Sequence, residues 1–292
     1  MNASPALPPI LDGVRDWIGQ FDLILCDIWG VLHDGLRAHP GAGEALTRFR
    51  EGGGTVVLVS NAPRPALSVV PHLDQLGVVR SAWDGAVTSG DVTRSMLEER
   101  AGAPYYWLGP DRDAPLFRGL SAKQAPLEEA ELLVCTGLID DETETPADYR
   151  ELLAKAKARD LPFVCANPDL VVERGSDLIY CAGALAEAYE AIGGPTLYAG
   201  KPHAPIYKAA RDIAASIRKE RTPVERILAI GDALRTDVAG ANLLGCSSLF
   251  VARGIHTHEL GIADRPLHEE GLAKLLAGAT VRPTAAIDKL VW

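Results

Sequence analysis

The chain lacks any apolar run of about 18 residues, the length that would span a bilayer as a helix. It also lacks a basic N-terminal stretch leading into an apolar one, so the expectation is a cytoplasmic protein without a secretory leader. Positive charge is in deficit, with 29 Lys and Arg against 39 Asp and Glu and a net charge of −10. No phosphate-backbone footprint fits that balance, so neither nucleic acid nor a membrane is an expected partner. Cysteine is sparse and odd in number. The five, at 26, 135, 165, 181 and 246, lie mostly inside apolar runs and read as reduced core residues rather than a disulfide framework. Internal repeats and low-complexity tracts are missing as well.

What remains is an ordinary globular composition, 47% hydrophobic and 23% charged over 292 residues, enough for one large or two modest domains. Short apolar segments at 22–27, 55–59, 132–136, 162–165, 177–180, 227–231 and 248–252 predict strands. Helix-like segments at 40–51, 64–76, 91–101, 146–159, 183–192, 203–217 and 235–244 alternate with them. Such alternation predicts βαβ units and a parallel sheet. The acidic clusters at 128–131 and 140–144 suit solvated faces or loops.

One strand carries unusual chemistry. Leu23-Ile24-Leu25-Cys26 is apolar on both faces and delivers Asp27 into the turn Ile28-Trp29-Gly30. A carboxylate at the carboxyl end of a buried parallel strand stands where open α/β sheets bind ligands. Three further segments belong with it: Val56-Val57-Leu58-Val59-Ser60-Asn61, Gly200-Lys201-Pro202 with Lys201 opening a helix, and Ile230-Gly231-Asp232 through Asp237. Each alone has a plain alternative as a turn, a cap or a surface charge. Their order and spacing carry more, because Ser60 and Lys201 are separated by about 140 residues, far more than one βαβ unit requires.

In that order the four segments resemble the signature set of the haloacid dehalogenase superfamily of aspartate-nucleophile hydrolases. Asn167-Pro168-Asp169 and the Gly183-Ala184 helix leading to Gly-Lys-Pro resemble its class IIA branch, which includes pyridoxal-phosphate and nitrophenyl-phosphate phosphatases. The resemblance implies a doubly wound, Rossmann-like parallel-sheet α/β core from residues 1–97 and 189–292, with an inserted α/β cap at 98–188. It implies a Mg²⁺-dependent phosphatase acting on a small phosphorylated metabolite through an aspartyl-phosphate. Asp27 is then the nucleophile. Asp27, Asp232 and the backbone carbonyl of Trp29 are Mg²⁺ ligands. Asp237 binds the ion directly, through water, or holds Lys201. Ser60, Asn61 and Lys201 bind the phosphoryl oxygens. Asn167 and Asp169 are either substrate contacts from the cap or a Pro-stabilised turn. Similar proteins form cap-mediated homodimers, so self-association is compatible with the resemblance.

The chain departs from the pattern at Trp29, where family phosphatases carry a second acid. That acid protonates the leaving group and then activates water, assistance worth about 10²–10⁴-fold, or roughly 3–5 kcal/mol of barrier. Indole exchanges no proton near neutrality. Three outcomes follow: slow turnover of good leaving groups, a substitute among His33 and Asp34, or a weakened protein that binds a phosphorylated metabolite without turning it over. A solvated loop histidine and an Asp34-Gly35 turn are the simpler readings of the substitutes. Dehalogenases also lack the second acid, but they need no metal, so a dehalogenase-like hydrolase ranks third. Thr236 suits a helix cap and Thr88-Ser89-Gly90-Asp91 a helix start, while Tyr105, Tyr106 and Trp107 suit a cap core. His256 and His258 have no third ligand nearby, so no zinc site is expected.

Overall fold

Apolar segments too short for helices become the strands of parallel sheets, as the alternation predicts. The structure, a computed structural model, describes residues 6–100, 102–174 and 177–292. The strands are β1 (Ile10–Leu11), β2 (Leu23–Cys26), β3 (Thr55–Ser60), β4 (Gly85–Thr88), β5 (Tyr105–Leu108), β6 (Leu132–Cys135) and β7 (Phe163–Cys165). They continue with β8 (Val171–Arg174), β9 (Asp177–Tyr180), β10 (Thr196–Tyr198), β11 (Ile227–Gly231), β12 (Ser247–Val251) and β13 (Ala285–Ile287). The helices are α1 (Pro40–Glu51), α2 (Ala66–Leu76), α3 (Ser89–Glu98), α4 (Arg150–Ala158), α5 (Ala182–Ala191), α6 (Ala204–Arg218), α7 (Ala239–Leu244) and α8 (Glu269–Ala277).

The chain divides into two compact units, one of Met1–Val59, His72–Ala86 and Ala210–Trp292, the other of Ser60–Pro71 and Val87–Ala209. The first is organised by a seven-stranded sheet in the order β1-β13-β12-β11-β2-β3-β4. Its pairs β1/β13, β13/β12, β12/β11, β11/β2 and β2/β3 are all parallel. Every residue of β2, β3 and β11 is buried, which is why these strands read as unbroken apolar runs. The chain builds outward from β2 through β3 to β4 on one side, and from β11 through β12 to β13 on the other. The switch in direction therefore falls between β2 and β11, and it opens a crevice at their carboxyl ends. Helix α1 covers the sheet with Ala42, Ala45, Leu46 and Phe49, a stripe at helical spacing.

The second unit has its own sheet, in the order β10-β7-β6-β5 and parallel throughout. Phe163 and Tyr189, both fully buried, stack on one face of it with ring centroids 5.4 Å apart. Tyr105 and Phe117 stack at 4.7 Å among the residues of a second cluster. Strands β8 and β9 form a separate antiparallel pair.

Several expectations are refined. The 235–244 segment is helical throughout, but its first turn, Leu234–Val238, is a π-turn and the α-helical part, α7, begins at Ala239. Thr236 consequently lies inside that turn, and the residue preceding α7 is Val238. Helix α6 begins at Ala204, so Lys201 stands in the turn before the helix instead of opening it. The four-stranded sheet includes β10, which lies beyond the 98–188 segment expected for the cap. All five cysteines are buried and none is part of a disulfide. Among the described residues no helix is long and apolar enough to cross a membrane.

Candidate active site

The site grows from the switch point. The backbone N–H of Asp27 donates to the carbonyl of Ile230 at 2.8 Å, extending the β2/β11 ladder by one rung and fixing where the carboxylate leaves the sheet. Asp232 follows the last residue of the neighbouring strand. Its Oδ2 accepts the N–H of Ile255 at 2.8 Å. Two glycines confine the same carboxylate: a Cβ at Gly30 would lie 2.1 Å from Oδ2, and one at Gly254 only 1.9 Å. Gly30 also has φ of +78°, so both its backbone and its neighbour demand glycine there. Asp237 is carried back toward the strand by the π-turn. Its Oδ2 accepts the N–H of Ala233 at 3.2 Å, and its Cγ would lie 2.0 Å from a Cβ on Gly231.

These three buried carboxylates converge, with one oxygen from each lying within 4.8 Å of the others. Three hard anionic oxygens crowded in a buried site fit a divalent cation such as Mg²⁺, which would offset their mutual repulsion. Asp27, Asp232 and Asp237 would hold it.

In the second unit a group of predicted residues gathers around Asn61. Its side-chain oxygen accepts the N–H of Lys201 at 2.7 Å, and its Nδ2 donates to the carbonyl of Lys201 at 3.2 Å and to Oδ1 of Asp169 at 2.9 Å. One amide thus clasps both backbone polar groups of a residue 140 positions away. A Cβ at Gly200 would come within 2.4 Å of the Asn61 oxygen, so the clasp needs glycine beside the lysine. Lys201 itself is buried. Ser60 Oγ accepts the N–H of Ala62 at 3.2 Å. Asn167 Oδ1 accepts the N–H of Asp169 at 3.1 Å, which makes the Asn-Pro-Asp segment a closed turn. That turn is pressed onto the start of α5, where a Cβ at Gly183 would lie 2.4 Å from the Pro168 carbonyl.

Trp29 turns away from the loop core and is 41% exposed. Its benzo edge lies over Gly35, where a Cβ would sit 2.8 Å from Cη2 and Cζ2. His33 meets the indole edge-on with centroids 5.1 Å apart. The two proposed substitutes for the missing acid differ in exposure: His33 is buried, and the Asp34 side chain is 39% exposed. His33 is buried, its Nδ1 accepts the N–H of Gly35 at 3.0 Å, and burial, followed by the charges of His72 and His39, pushes it down to about 4. Asp34 Oδ1 accepts the N–H groups of Leu36 and Arg37, both at 2.9 Å, and closes the turn that Asp34-Gly35 predicts. Thr88 and Asp91 form a reciprocal capping box at the start of α3.

Some supporting residues left little trace in the sequence. His256 Nε2 accepts the N–H of Leu234 at 3.3 Å while its Nδ1 faces Glu259 at 3.0 Å, so this histidine braces the π-turn between Asp232 and Asp237. Gly254 carries a weak signal as a glycine just after a buried strand. Asp113 carries none. It is buried among Thr136, Arg112 and Arg64, and burial pushes it up to about 6 against the pull of the two arginines.

Acids gathered at the switch point of a doubly wound parallel sheet define an α/β protein with an acid cluster suited to a divalent cation. The comparisons with known proteins give the family. Residues 24–122 match the model of haloacid dehalogenase-like hydrolases, and residues 198–288 match a second, HAD-hydrolase-like model. The crystal structure of a haloacid dehalogenase-like family hydrolase from Brucella suis 1330 is 44% identical, with a TM-score of 0.85 over 97% of this chain and 100% of that one. The ribonucleotide monophosphatase NagD of Escherichia coli K12 is 27% identical over 238 residues, 80% of this chain and 88% of NagD. The D-glycerol 3-phosphate phosphatase of Mycobacterium tuberculosis is 28% identical over 244 residues, 82% of this chain and 65% of the relative. The chain belongs to the haloacid dehalogenase-like hydrolase family, in the class IIA branch.

Proposed function

We propose that the chain is a Mg²⁺-dependent phosphatase of a small phosphorylated metabolite, working through an aspartyl-phosphate on Asp27. The observation that carries this reading is the convergence of Asp27, Asp232 and Asp237 at the carboxyl ends of adjacent central strands. The phosphatase activities in the names of NagD and the mycobacterial relative support it. An Asp27 oxygen attacks phosphorus in line as the bond to the leaving oxygen breaks. Water then attacks phosphorus, the acyl-phosphate bond breaks, and Asp27 is restored. Bound Mg²⁺ supplies charge neutralisation between anionic nucleophile and anionic ester. Ser60 and Lys201 are the proposed donors to the phosphoryl oxygens. Asn61 we assign to positioning, since its amide is engaged with the Lys201 backbone and Asp169. Asn167 and Asp169 likewise support the clasp before they touch any substrate.

Turnover of p-nitrophenyl phosphate with and without Mg²⁺, in the wild type and in Asp27→Asn, tests the reading. Activity that needs the ion and disappears in the variant is expected. Equal rates in both proteins would refute it. The exposed Trp29 favours one second reading, a protein that binds a phosphorylated metabolite without hydrolysing it. In that case no ester in a panel turns over, while the panel still raises the melting temperature.

A further inference from the structure

Thr88-Ser89-Gly90-Asp91 starts α3, as its sequence predicts, but the contacts of this turn reach beyond its own helix. Asp91 Oδ2 accepts the backbone N–H and the hydroxyl of Thr88, both at 2.9 Å, which closes the capping box. The same carboxylate accepts the N–H of Ala66, with Oδ2 at 3.1 Å and Oδ1 at 3.3 Å. Ala66 is the first residue of α2, so one anion serves the amino ends of two helices. Beside it, the N–H of Gly90 donates to the carbonyl of Ala62 at 3.1 Å. A Cβ at Gly90 would lie 2.5 Å from the Pro63 carbonyl oxygen and 2.6 Å from the Arg64 carbonyl carbon, so the close approach requires glycine. A capping box alone needs no contact with another segment.

All of these contacts fall on the segment that follows Ser60. Ala62 is bonded at both backbone groups: its carbonyl accepts from Gly90, and its N–H donates to Ser60 Oγ at 3.2 Å. The Ser60 oxygen is thereby held toward Ala62, and its single O–H proton is left to point elsewhere. Pro63 and Pro65 have no N–H, and Ala62 and Ala66 commit theirs to Ser60 and Asp91, so much of the segment is held from outside. We propose that Asp91 is a positioning residue for phosphoryl binding: through Ala66, and with Gly90 through Ala62, the first turn of α3 aims the Ser60 hydroxyl. The proposal rests on the reading of Ser60 as a phosphoryl donor and names the residue that directs it.

The test compares the wild type with Asp91→Ala, Ala66→Pro and Asp148→Ala. Ala66→Pro deletes the N–H that Asp91 receives and leaves the capping box whole. Proline is tolerated at a first helical position, and Pro65 takes the cap place, its carbonyl accepting from Ser68 and Val69. Asp148 is the control, closing the same kind of box with Thr145 ahead of α4. In Asp91→Ala and Ala66→Pro, kcat/KM for p-nitrophenyl phosphate should fall by about 10–10²-fold, the effect of a displaced donor. The Kd for inorganic phosphate should rise by at least about threefold in calorimetric titration, with Mg²⁺ affinity unchanged. Asp148→Ala should keep both constants, although it and Asp91→Ala should each lower the melting temperature through the lost cap. In a Ser60→Ala background, Asp91→Ala should cost less than about threefold, because the donor it aims is gone. Constants within about twofold of the wild type in Asp91→Ala and Ala66→Pro would overturn the proposal alone, as would an equal loss in Asp148→Ala or full additivity with Ser60→Ala. A wild type that neither hydrolyses any ester nor binds phosphate would overturn it together with the phosphatase reading.

Discussion

Replacing Gly30 by alanine isolates what the backbone does for the acid cluster. At φ of +78° an added Cβ brings a left-handed penalty of about 1–2 kcal/mol. The same Cβ would lie 2.1 Å from Asp232 Oδ2, so the carboxylate must retreat by about 1 Å to restore ordinary contact. Retreat is blocked, because Gly254 closes the carboxylate from elsewhere and the Ile255 N–H holds Oδ2 at 2.8 Å. Breaking that charge-assisted bond adds roughly 1.5–3 kcal/mol. Gly30→Ala should therefore lose about 2.5–5 kcal/mol in urea unfolding. A displacement of about 1 Å beside the nucleophile should also lower kcat/KM by roughly 10²-fold and weaken Mg²⁺ binding in calorimetric titration. Gly53 is the matched control. Its φ is +91°, but nothing lies within 4 Å of its Cβ position, so Gly53→Ala should lose only the backbone penalty of about 1–2 kcal/mol and keep its affinity for Mg²⁺. Equal losses in the two variants, with Mg²⁺ binding intact in both, would refute the argument that Gly30 exists to admit Asp232.

Asn61→Ala removes the clasp and leaves the buried Lys201 N–H without its partner, so a loss of about 2–4 kcal/mol is expected in urea unfolding; a change below about 0.5 kcal/mol would refute the assignment. His33 is held down at about 4 while the unfolded chain protonates near 6.5, so stability that is complete above pH 6.5 is lost as the pH falls toward 4, by up to about 3 kcal/mol. His33→Gln should flatten the urea midpoints between pH 7.5 and 4.5, and unchanged slopes would contradict this. Asp113 runs the other way: its ordinary value is 3.8 and burial raises it to about 6, so its contribution is complete below 3.8 and lost as the pH rises through 6. Asp113→Asn should be more stable than the wild type by about 1–3 kcal/mol at pH 7.5 and indistinguishable from it near pH 4, as read from melting curves.

The parts of the fold legible in the sequence are those whose burial is two-sided. Leu23–Cys26, Val56–Val59 and Ile227–Ile230 are apolar without interruption because both faces of the central sheet are covered, and helices α1 and α5 stand where their patterns predict. Strands β4 and β10 are only partly buried and β13 is Ala-Ala-Ile, so none offers the strongly apolar run that marked the equally short β7. The π-turn at Leu234–Val238 could not be seen, because the apolar spacing of a π-turn over five residues matches that of a helix. In the candidate site, the acids were visible because charge at the end of an apolar strand is conspicuous. The clasp of Asn61 on Lys201 was not, since an amide bonded to a distant backbone leaves no local pattern. Asp113 was hidden for the same reason: only its tertiary surroundings make it unusual.

That clasp also bears on how such a chain can change. A single amide joins the first residue after β3 to the lysine 140 positions later, so whatever is threaded between them begins and ends at a common hem. Loop-closure entropy grows only logarithmically, with each doubling of length adding about 0.6 kcal/mol. The intervening segment is thus free to be lengthened, shortened or exchanged while the hem stays stitched, which makes it the natural place for one ancestral hydrolase to be retailored for many esters.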